Sequence, residues 1–127
     1  MSELTCLILG LLLWIAHILI QAGLANTALG TDYLAGPRDK KRETDNVYYG
    51  RATRALHNYV ENFVAFAAAD LGLIATQQTG GWGATIWILA RIVYIPAYLF
   101  GVPYLRTLAW VVSLVGLLMM IARLAGY

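Results

Sequence analysis

The sequence predicts an all-α integral membrane protein, a four-helix bundle that forms one domain over residues 1–127. The chain is 60% hydrophobic and only 13% charged, and its mean hydropathy is +0.64. This balance lies well outside that of ordinary soluble domains. A membrane-spanning helix takes about 20 residues, so the length allows four spans with short connections and leaves no room for a separate soluble domain.

Charge and cysteine content exclude several classes of protein. The formal net charge of +2 is too small to favour a nucleic acid partner, and the basic residues flank the apolar segments as in membrane proteins. The single cysteine, Cys6, rules out an intrachain disulfide and a CxxC metal or redox motif. We expect it to be a small packing residue. With only two scattered histidines, no metal site is predicted.

The first two predicted spans differ in character. The first covers residues 4–28, with no charged residue between Glu3 and Asp32 and no basic residue before it, so we expect a retained span rather than a signal peptide. A charged, turn-rich loop over 31–47 must lie in water. The second span, 47–76, is polar in its first half and apolar in its second.

Two further spans follow after short connections. Residues 77–83 are rich in helix breakers, and Trp82 among them is suited to the membrane interface. The third span is predicted over 84–100. Gly101-Val102-Pro103 then separates it from a fourth span over 106–122, so the second and third spans form a hairpin.

Basic residues predict the orientation. They border the 31–47 loop and the connection before the fourth span, at Arg38, Lys40, Lys41, Arg42, Arg51, Arg54 and Arg106. The positive-inside rule places this side in the cytoplasm. Both termini then lie on the opposite side, where only Arg123 is basic.

Polar residues on the second span form one helix face. At about 100° per residue, four of them fall within an arc of roughly 80°. They are Arg51, Arg54, Asn58 and Glu61. The face continues into small residues that would let another helix approach closely, at Ala65, Ala68 and Gly72.

A second polar group lies on the third span. Arg91, Tyr94 and Tyr98 are spaced i, i+3, i+7 and share a face, and Arg106 follows after Gly101 and Pro103. Guanidinium groups, phenols, an amide and a carboxylate together suit a small, multiply charged zwitterionic ligand at the cytoplasmic membrane boundary.

A purely structural interpretation stays open beside this one. Arg54 and Glu61 could form interhelical salt bridges, Arg51 could extend to the headgroups, and the two tyrosines could simply pack or anchor at the interface.

Three other ionisable residues are weaker site candidates. His17 is isolated among apolar residues, and we expect it to make a helix–helix hydrogen bond. Asp70 points about 160° away from Arg54, so we expect it to pair elsewhere or to lie near the far interface. His57 lies off the polar face.

The segment from Arg54 to Glu61, RALHNYVE, resembles the RAxxNxxE signature of the MAPEG family, the membrane-associated proteins of eicosanoid and glutathione metabolism. Two further segments also resemble bacterial members of this family, namely LAGPR at 34–38 and ARIVYIPAY at 90–98. The resemblance covers nearly the whole chain in order and length.

The resemblance implies a trimer of four-helix subunits that binds glutathione between neighbouring subunits near the cytoplasmic face. The matching binding positions are Arg54, Asn58, Glu61, Tyr94 and Tyr98, and Arg51 is added for its proximity alone. In the family's transferases, the arginine matching Arg106 stabilises the glutathione thiolate, so Arg106 is the predicted catalytic residue.

The leading hypothesis is a glutathione-dependent transferase or peroxidase that acts on a lipophilic electrophile in the bacterial inner membrane. Membrane lipids and two further copies of the chain are its expected partners. One alternative is a non-catalytic structural or accessory subunit of a larger membrane complex. Another is a lipid- or quinone-binding protein that uses the same cleft between subunits.

Overall fold

Four long helices and one short helix make up the computed structural model, which describes all of residues 1–127. The helices are α1 (Glu3–Leu29), α2 (Thr31–Ala35), α3 (Val47–Ala75), α4 (Gly83–Leu99) and α5 (Pro103–Leu124). There is no strand, which confirms the predicted all-α class. The long helices α1, α3, α4 and α5 correspond in order to the four predicted spans, and α3 contacts the other three.

Local sequence signals explain where the helices begin. The Ser2 hydroxyl accepts a hydrogen bond from the Thr5 N–H at 3.1 Å, and the Asn46 side chain accepts one from the Tyr49 N–H at 3.0 Å, so both α1 and α3 have an N-cap. Helix α5 begins at Pro103, three residues before the predicted start. Proline is favourable in a first helical turn, where its missing N–H costs nothing.

Helix α2 was not predicted, because the loop was expected to be irregular from residue 31. Gly30 has a φ of +90°, a conformation that glycine adopts readily. It ends α1 and allows the chain to form one further turn of helix before the charged segment. The rest of the loop, residues 36–46, contains no helix.

Both chain ends lie beside the connection between α3 and α4. A Glu3 carboxylate oxygen accepts hydrogen bonds from the backbone N–H groups of Gly80 at 2.9 Å and Gly81 at 3.3 Å. Near the other terminus, Arg123 Nε donates to the Gln78 carbonyl at 2.6 Å. Helix α2, the 36–46 loop and the α4–α5 connection therefore lie at the opposite end of the molecule.

The main core joins the four long helices. It contains ten buried residues: Cys6, Tyr59, Phe66, Ala69, Leu73, Ala84, Trp87, Ile88, Leu117 and Met120. A smaller cluster lies nearer the α2 end and comprises Ala55, Tyr94 and Ala109, with Tyr98 packed against it. As expected, Cys6 is a buried packing residue.

Helices α4 and α5 approach each other backbone to backbone at two glycines. A Cβ atom on Gly116 would lie 2.7 Å from the Gly83 carbonyl oxygen, and one on Gly83 would lie 2.6 Å from the Gly116 carbonyl oxygen. Only glycine permits this separation. The contact fixes the separation of α4 and α5 at the end remote from Tyr98 and Arg106.

The outer surface is largely apolar. Large hydrophobic side chains are exposed on every long helix, among them Ile8, Leu19, Val64, Leu89 and Leu118. Helices α1 and α5 are long and apolar enough to cross a membrane, and α4 is apolar but shorter. An exposed apolar surface of this extent is expected where lipid rather than water surrounds the protein.

One of the minor predictions is wrong, and another holds in only one of its alternatives. His17 Nδ1 lies 2.8 Å from the Leu13 carbonyl of its own helix, so its hydrogen bond does not join two helices. Instead its ring stacks on Tyr59 of α3 with centroids 4.5 Å apart. Asp70 is fully buried, and neither carboxylate oxygen has a hydrogen-bond partner, so the pairing alternative is absent. Its place near the C-terminal end of α3 agrees with the other alternative, a position toward the far end of the molecule.

Candidate functional site

A cleft at the α2 end of the molecule collects four of the predicted site residues. Asn58 of α3, Tyr94 and Tyr98 of α4, and Arg106 of α5 line a volume of about 270 Å³. Residues from three helices therefore meet at one point, although up to 48 positions separate them along the chain.

The two tyrosines pack together and each lies against an arginine. Their ring centroids are 5.5 Å apart with an interplanar angle of 48°. The Arg106 guanidinium carbon lies 5.0 Å from the centre of the Tyr98 ring, and that of Arg91 lies 4.2 Å from the centre of the Tyr94 ring. Both distances are within the range of cation–π attraction, so the tyrosines hold two positive charges at the cleft.

Arg54 joins the cleft through Tyr98. Its Nε donates a hydrogen bond to the Tyr98 hydroxyl at 3.1 Å, while the side chain remains exposed. This contact connects the polar face of α3 with the tyrosine face of α4 within one chain. The guanidinium keeps its other N–H groups free for a ligand.

Arg51 and Glu61 are not brought into the cleft. Arg51 Nη1 donates to the Leu99 carbonyl at 3.0 Å, which satisfies an end carbonyl of α4 and suits a cation at a helix C-terminus. Glu61 is exposed and makes no hydrogen bond or ion pair within the chain. Their roles in ligand binding stay predictions.

A comparison with protein families identifies the chain's relatives. The model of the MAPEG family matches residues 3–126. The chain belongs to the MAPEG family. No curated protein and no solved structure matches the chain. The family is membrane-associated and includes glutathione-dependent transferases and peroxidases as well as other members.

Arg91 is a buried residue beside the cleft that the predicted binding set omitted. Its side chain is 0% exposed, and its Nη1 donates to the Asn58 carboxamide oxygen at 2.9 Å. Its Nε and Nη2 have no hydrogen-bond partner. The i, i+3, i+7 spacing with Tyr94 and Tyr98 was the available signal, but the sequence did not show that Arg91 lies beneath the cleft.

Thr107 and Trp110 also line the MAPEG cleft and were missed. The Thr107 hydroxyl donates to the Pro103 carbonyl at 3.1 Å, so it is already bonded within α5. Trp110 lies four residues after Arg106 and hence on the same helix face. That spacing could have identified Trp110 from the sequence.

The lining of the MAPEG cleft is cationic and hydrogen-bonding. It contains a guanidinium, two phenols and a carboxamide, and it contains no carboxylate. The ion pairs of the chain, Lys41–Glu43 at 3.8 Å and Arg42–Asp32 at 3.7 Å, both lie in the 31–46 region. The alternative in which Arg54 and Glu61 form interhelical salt bridges is therefore not observed.

No residue of the cleft is an obvious covalent catalyst. The lining has no cysteine, serine, histidine or lysine, and the one aliphatic hydroxyl, on Thr107, is bonded to its own helix. No group of three His, Cys, Asp or Glu side chains is close enough to hold a metal ion. The arrangement is suited to binding an anion and stabilising negative charge, while any nucleophile would have to come with the ligand.

Proposed function

We propose that this MAPEG protein is a glutathione-dependent membrane transferase or peroxidase that acts on a lipophilic electrophile. Glutathione would bind at the Asn58–Tyr94–Tyr98–Arg106 cleft, at the cytoplasmic side and between neighbouring subunits of a trimer. The protein would reside in a bacterial inner membrane, with the 31–47 loop in the cytoplasm and both termini on the opposite side.

The proposal rests on the lining of the cleft, which brings several hydrogen-bond donors together and contains no carboxylate. Arg106 lines the cleft, Arg54 is hydrogen-bonded to the Tyr98 hydroxyl, and Arg91 lies beneath Tyr94. Glutathione presents two carboxylates and an ionisable thiol, and arginine pairs well with such planar anions. Glu61 remains available on the same face of α3 as an acceptor for the glutathione ammonium group.

The chemistry follows from the charge at Arg106. A cation near the glutathione sulfur favours the thiolate over the thiol, and the thiolate is the nucleophile. In a transferase reaction, sulfur forms a bond to the electrophilic carbon and the leaving group departs with the bonding electrons. In a peroxidase reaction, two glutathione thiols are oxidised to the disulfide while a hydroperoxide is reduced to an alcohol and water.

The small volume of the cleft and the exposure of the residues beside it support a binding site formed jointly by two neighbouring subunits. A cleft of about 270 Å³ falls just below the usual range for ligand pockets, roughly 300–1,000 Å³. Arg54 and Glu61 are exposed in the single chain, as are the small residues Ala65 and Ala68 on the same helix. Packing of a second copy on this face would enclose both charged groups.

A neighbouring apolar groove supports a lipophilic second substrate. It lies between α4 and α5, has a volume of about 330 Å³, and is lined only by hydrophobic residues: Ile86, Leu89, Ala90, Val93, Leu105, Leu108, Ala109 and Val112. Ala109 belongs to the same small core cluster as Tyr94. An apolar electrophile could therefore approach the cleft from the bilayer.

Calorimetry of glutathione binding to the detergent-purified protein tests the proposal. Arg54→Ala and Glu61→Ala are expected to abolish measurable binding, whereas the control Lys40→Ala, in the exposed loop, is expected to bind as the wild type does. Absence of binding to a folded wild-type trimer would refute the proposal. Co-purification with another complex in fixed stoichiometry would then favour the accessory-subunit alternative, and lipids or quinones retained in native mass spectrometry would favour the third hypothesis.

A further inference from the structure

We infer that Arg91 is a positioning residue that makes Asn58 a hydrogen-bond donor toward the ligand, so that Asn58 recognises an acceptor such as a peptide carbonyl or carboxylate oxygen. The inference rests on the proposed function, since it concerns the way in which the same cleft binds glutathione.

The orientation of the Asn58 amide follows from the chemistry of Arg91. A guanidinium can only donate hydrogen bonds, so the Asn58 atom 2.9 Å from Arg91 Nη1 must be the carboxamide oxygen. This assignment avoids the usual ambiguity between the oxygen and nitrogen of an asparagine side chain, because the flipped amide would place two donors face to face.

Asn62 reinforces the same orientation. Its Nδ2 donates to the Asn58 backbone carbonyl at 2.8 Å and lies 3.4 Å from the Asn58 carboxamide oxygen. Two donors thus converge on the Asn58 carboxamide oxygen, which leaves it little capacity for a ligand. The Asn58 NH₂ group donates to no atom of the chain, and Asn58 lines the cleft.

Arg91 is itself held firmly enough for this role. Its side chain is 0% exposed, and its guanidinium carbon lies 4.2 Å from the Tyr94 ring centre, 5.3 Å from that of Tyr59 and 5.9 Å from that of Trp87. Three aromatic rings around a planar cation restrict its movement and offset part of its desolvation. No carboxylate lies within ion-pair distance of it.

The consequence concerns specificity. With Arg91 and Asn62 both directed at its oxygen, Asn58 can accept a hydrogen bond from a ligand N–H only by displacing one of these two donors. Asn58 therefore selects ligand atoms that accept a hydrogen bond. A ligand that covered the Asn58 NH₂ group without offering it an acceptor would bind unfavourably. Arg91 does not need to touch the ligand to exert this effect.

Glutathione binding by calorimetry, measured on a set of variants, tests the inference. Arg91→Gln is expected to raise the Kd about tenfold, because a glutamine no longer fixes the amide, and Arg91→Lys, which keeps a donor, is expected to stay within about threefold of the wild type. Asn58→Ala should also raise the Kd about tenfold. The double variant Arg91→Gln/Asn58→Ala should bind no more weakly than Asn58→Ala alone, since Arg91 acts through Asn58.

Asn58→Asp gives a second measurement that does not depend on removing the buried guanidinium. An aspartate keeps its contact with Arg91 but has no N–H group, so binding is expected to fall at least as far as in Asn58→Ala while the protein remains folded. If Asn58→Asp binds as tightly as the wild type, the donor role is wrong.

The outcomes separate this inference from the proposed function. A wild type that does not bind glutathione overturns both. A wild type that binds, together with an Arg91→Gln variant within twofold of it or losses that add in the double variant, overturns only the positioning role of Arg91.

Discussion

Replacing Gly116 by alanine tests the close contact between α4 and α5. The new methyl group would lie 2.7 Å from the Gly83 carbonyl oxygen and 2.9 Å from the Trp87 amide nitrogen. Since ordinary contacts begin near 3.4 Å, the helices must move apart by roughly 0.7 Å, and inserting a methyl group into a packed interior costs about 1–3 kcal/mol. Alanine also raises helix propensity by about 1 kcal/mol relative to glycine.

Gly23→Ala is the matched control, because a Cβ atom there meets nothing within 4 Å. Both variants gain the same helix propensity. The difference between their free energies of unfolding therefore isolates the steric cost of the methyl group at position 116. We expect the Gly116→Ala protein to be about 1–3 kcal/mol less stable than the Gly23→Ala protein, as measured by reversible unfolding in detergent followed by circular dichroism. Equal stability, or greater stability of Gly116→Ala, would refute the backbone contact.

Three further predictions concern the cleft and the core. Tyr98→Phe removes the hydroxyl that accepts from Arg54 Nε, so the glutathione Kd should rise about fivefold, while Tyr104→Phe, at a side chain 89% exposed, should bind normally. Arg106→Gln removes the cation beside the proposed thiolate, so it should lower kcat for conjugation of 1-chloro-2,4-dinitrobenzene about 100-fold and change the Kd much less, because this charge acts on the reacting sulfur. Asp70→Leu replaces a buried carboxyl without hydrogen-bond partners and should stabilise the protein to unfolding by about 1 kcal/mol or more.

Each of these predictions has an outcome that contradicts it. Unchanged glutathione affinity of Tyr98→Phe would show that Arg54 is positioned without the phenol. Full turnover by the Arg106→Gln protein would show that Arg106 does not stabilise the thiolate. A destabilised Asp70→Leu protein would mean that the Asp70 carboxyl has a partner in the membrane, such as water or a lipid headgroup.

The sequence was sufficient for the bounds of α1, α3 and α4 because hydropathy and helix breakers operate locally. The ends of α1, α3 and α4 lie within one residue of the predicted spans. The start of α5 was placed too late because Pro103 was interpreted as a break rather than as a first-turn residue. Helix α2 was missed because five residues are too few for a periodic pattern.

The cleft was predictable only in part. Helical spacing correctly grouped Tyr94 with Tyr98, and Arg54 with Asn58, since each pair lies on a single helix. The contact of Arg91 with Asn58 was not predictable, because it depends on the rotation of α4 against α3. For the same reason the sequence did not show that Arg51 would bond to the end of α4 rather than line the cleft.

The hydrogen bonds near the two chain ends affect how the helices can move relative to one another. Glu3 and Arg123 both bind the backbone of the α3–α4 connection, so three elements are fastened together at the end remote from the cleft. If the helices tilt relative to one another, they pivot near this end. The displacement of a residue then grows with its distance from the pivot, and each residue adds about 1.5 Å to that distance. Under such a tilt the displacement would be largest at the cleft end, where the hydrogen bonds of Arg51 to Leu99 and of Arg54 to Tyr98 oppose it.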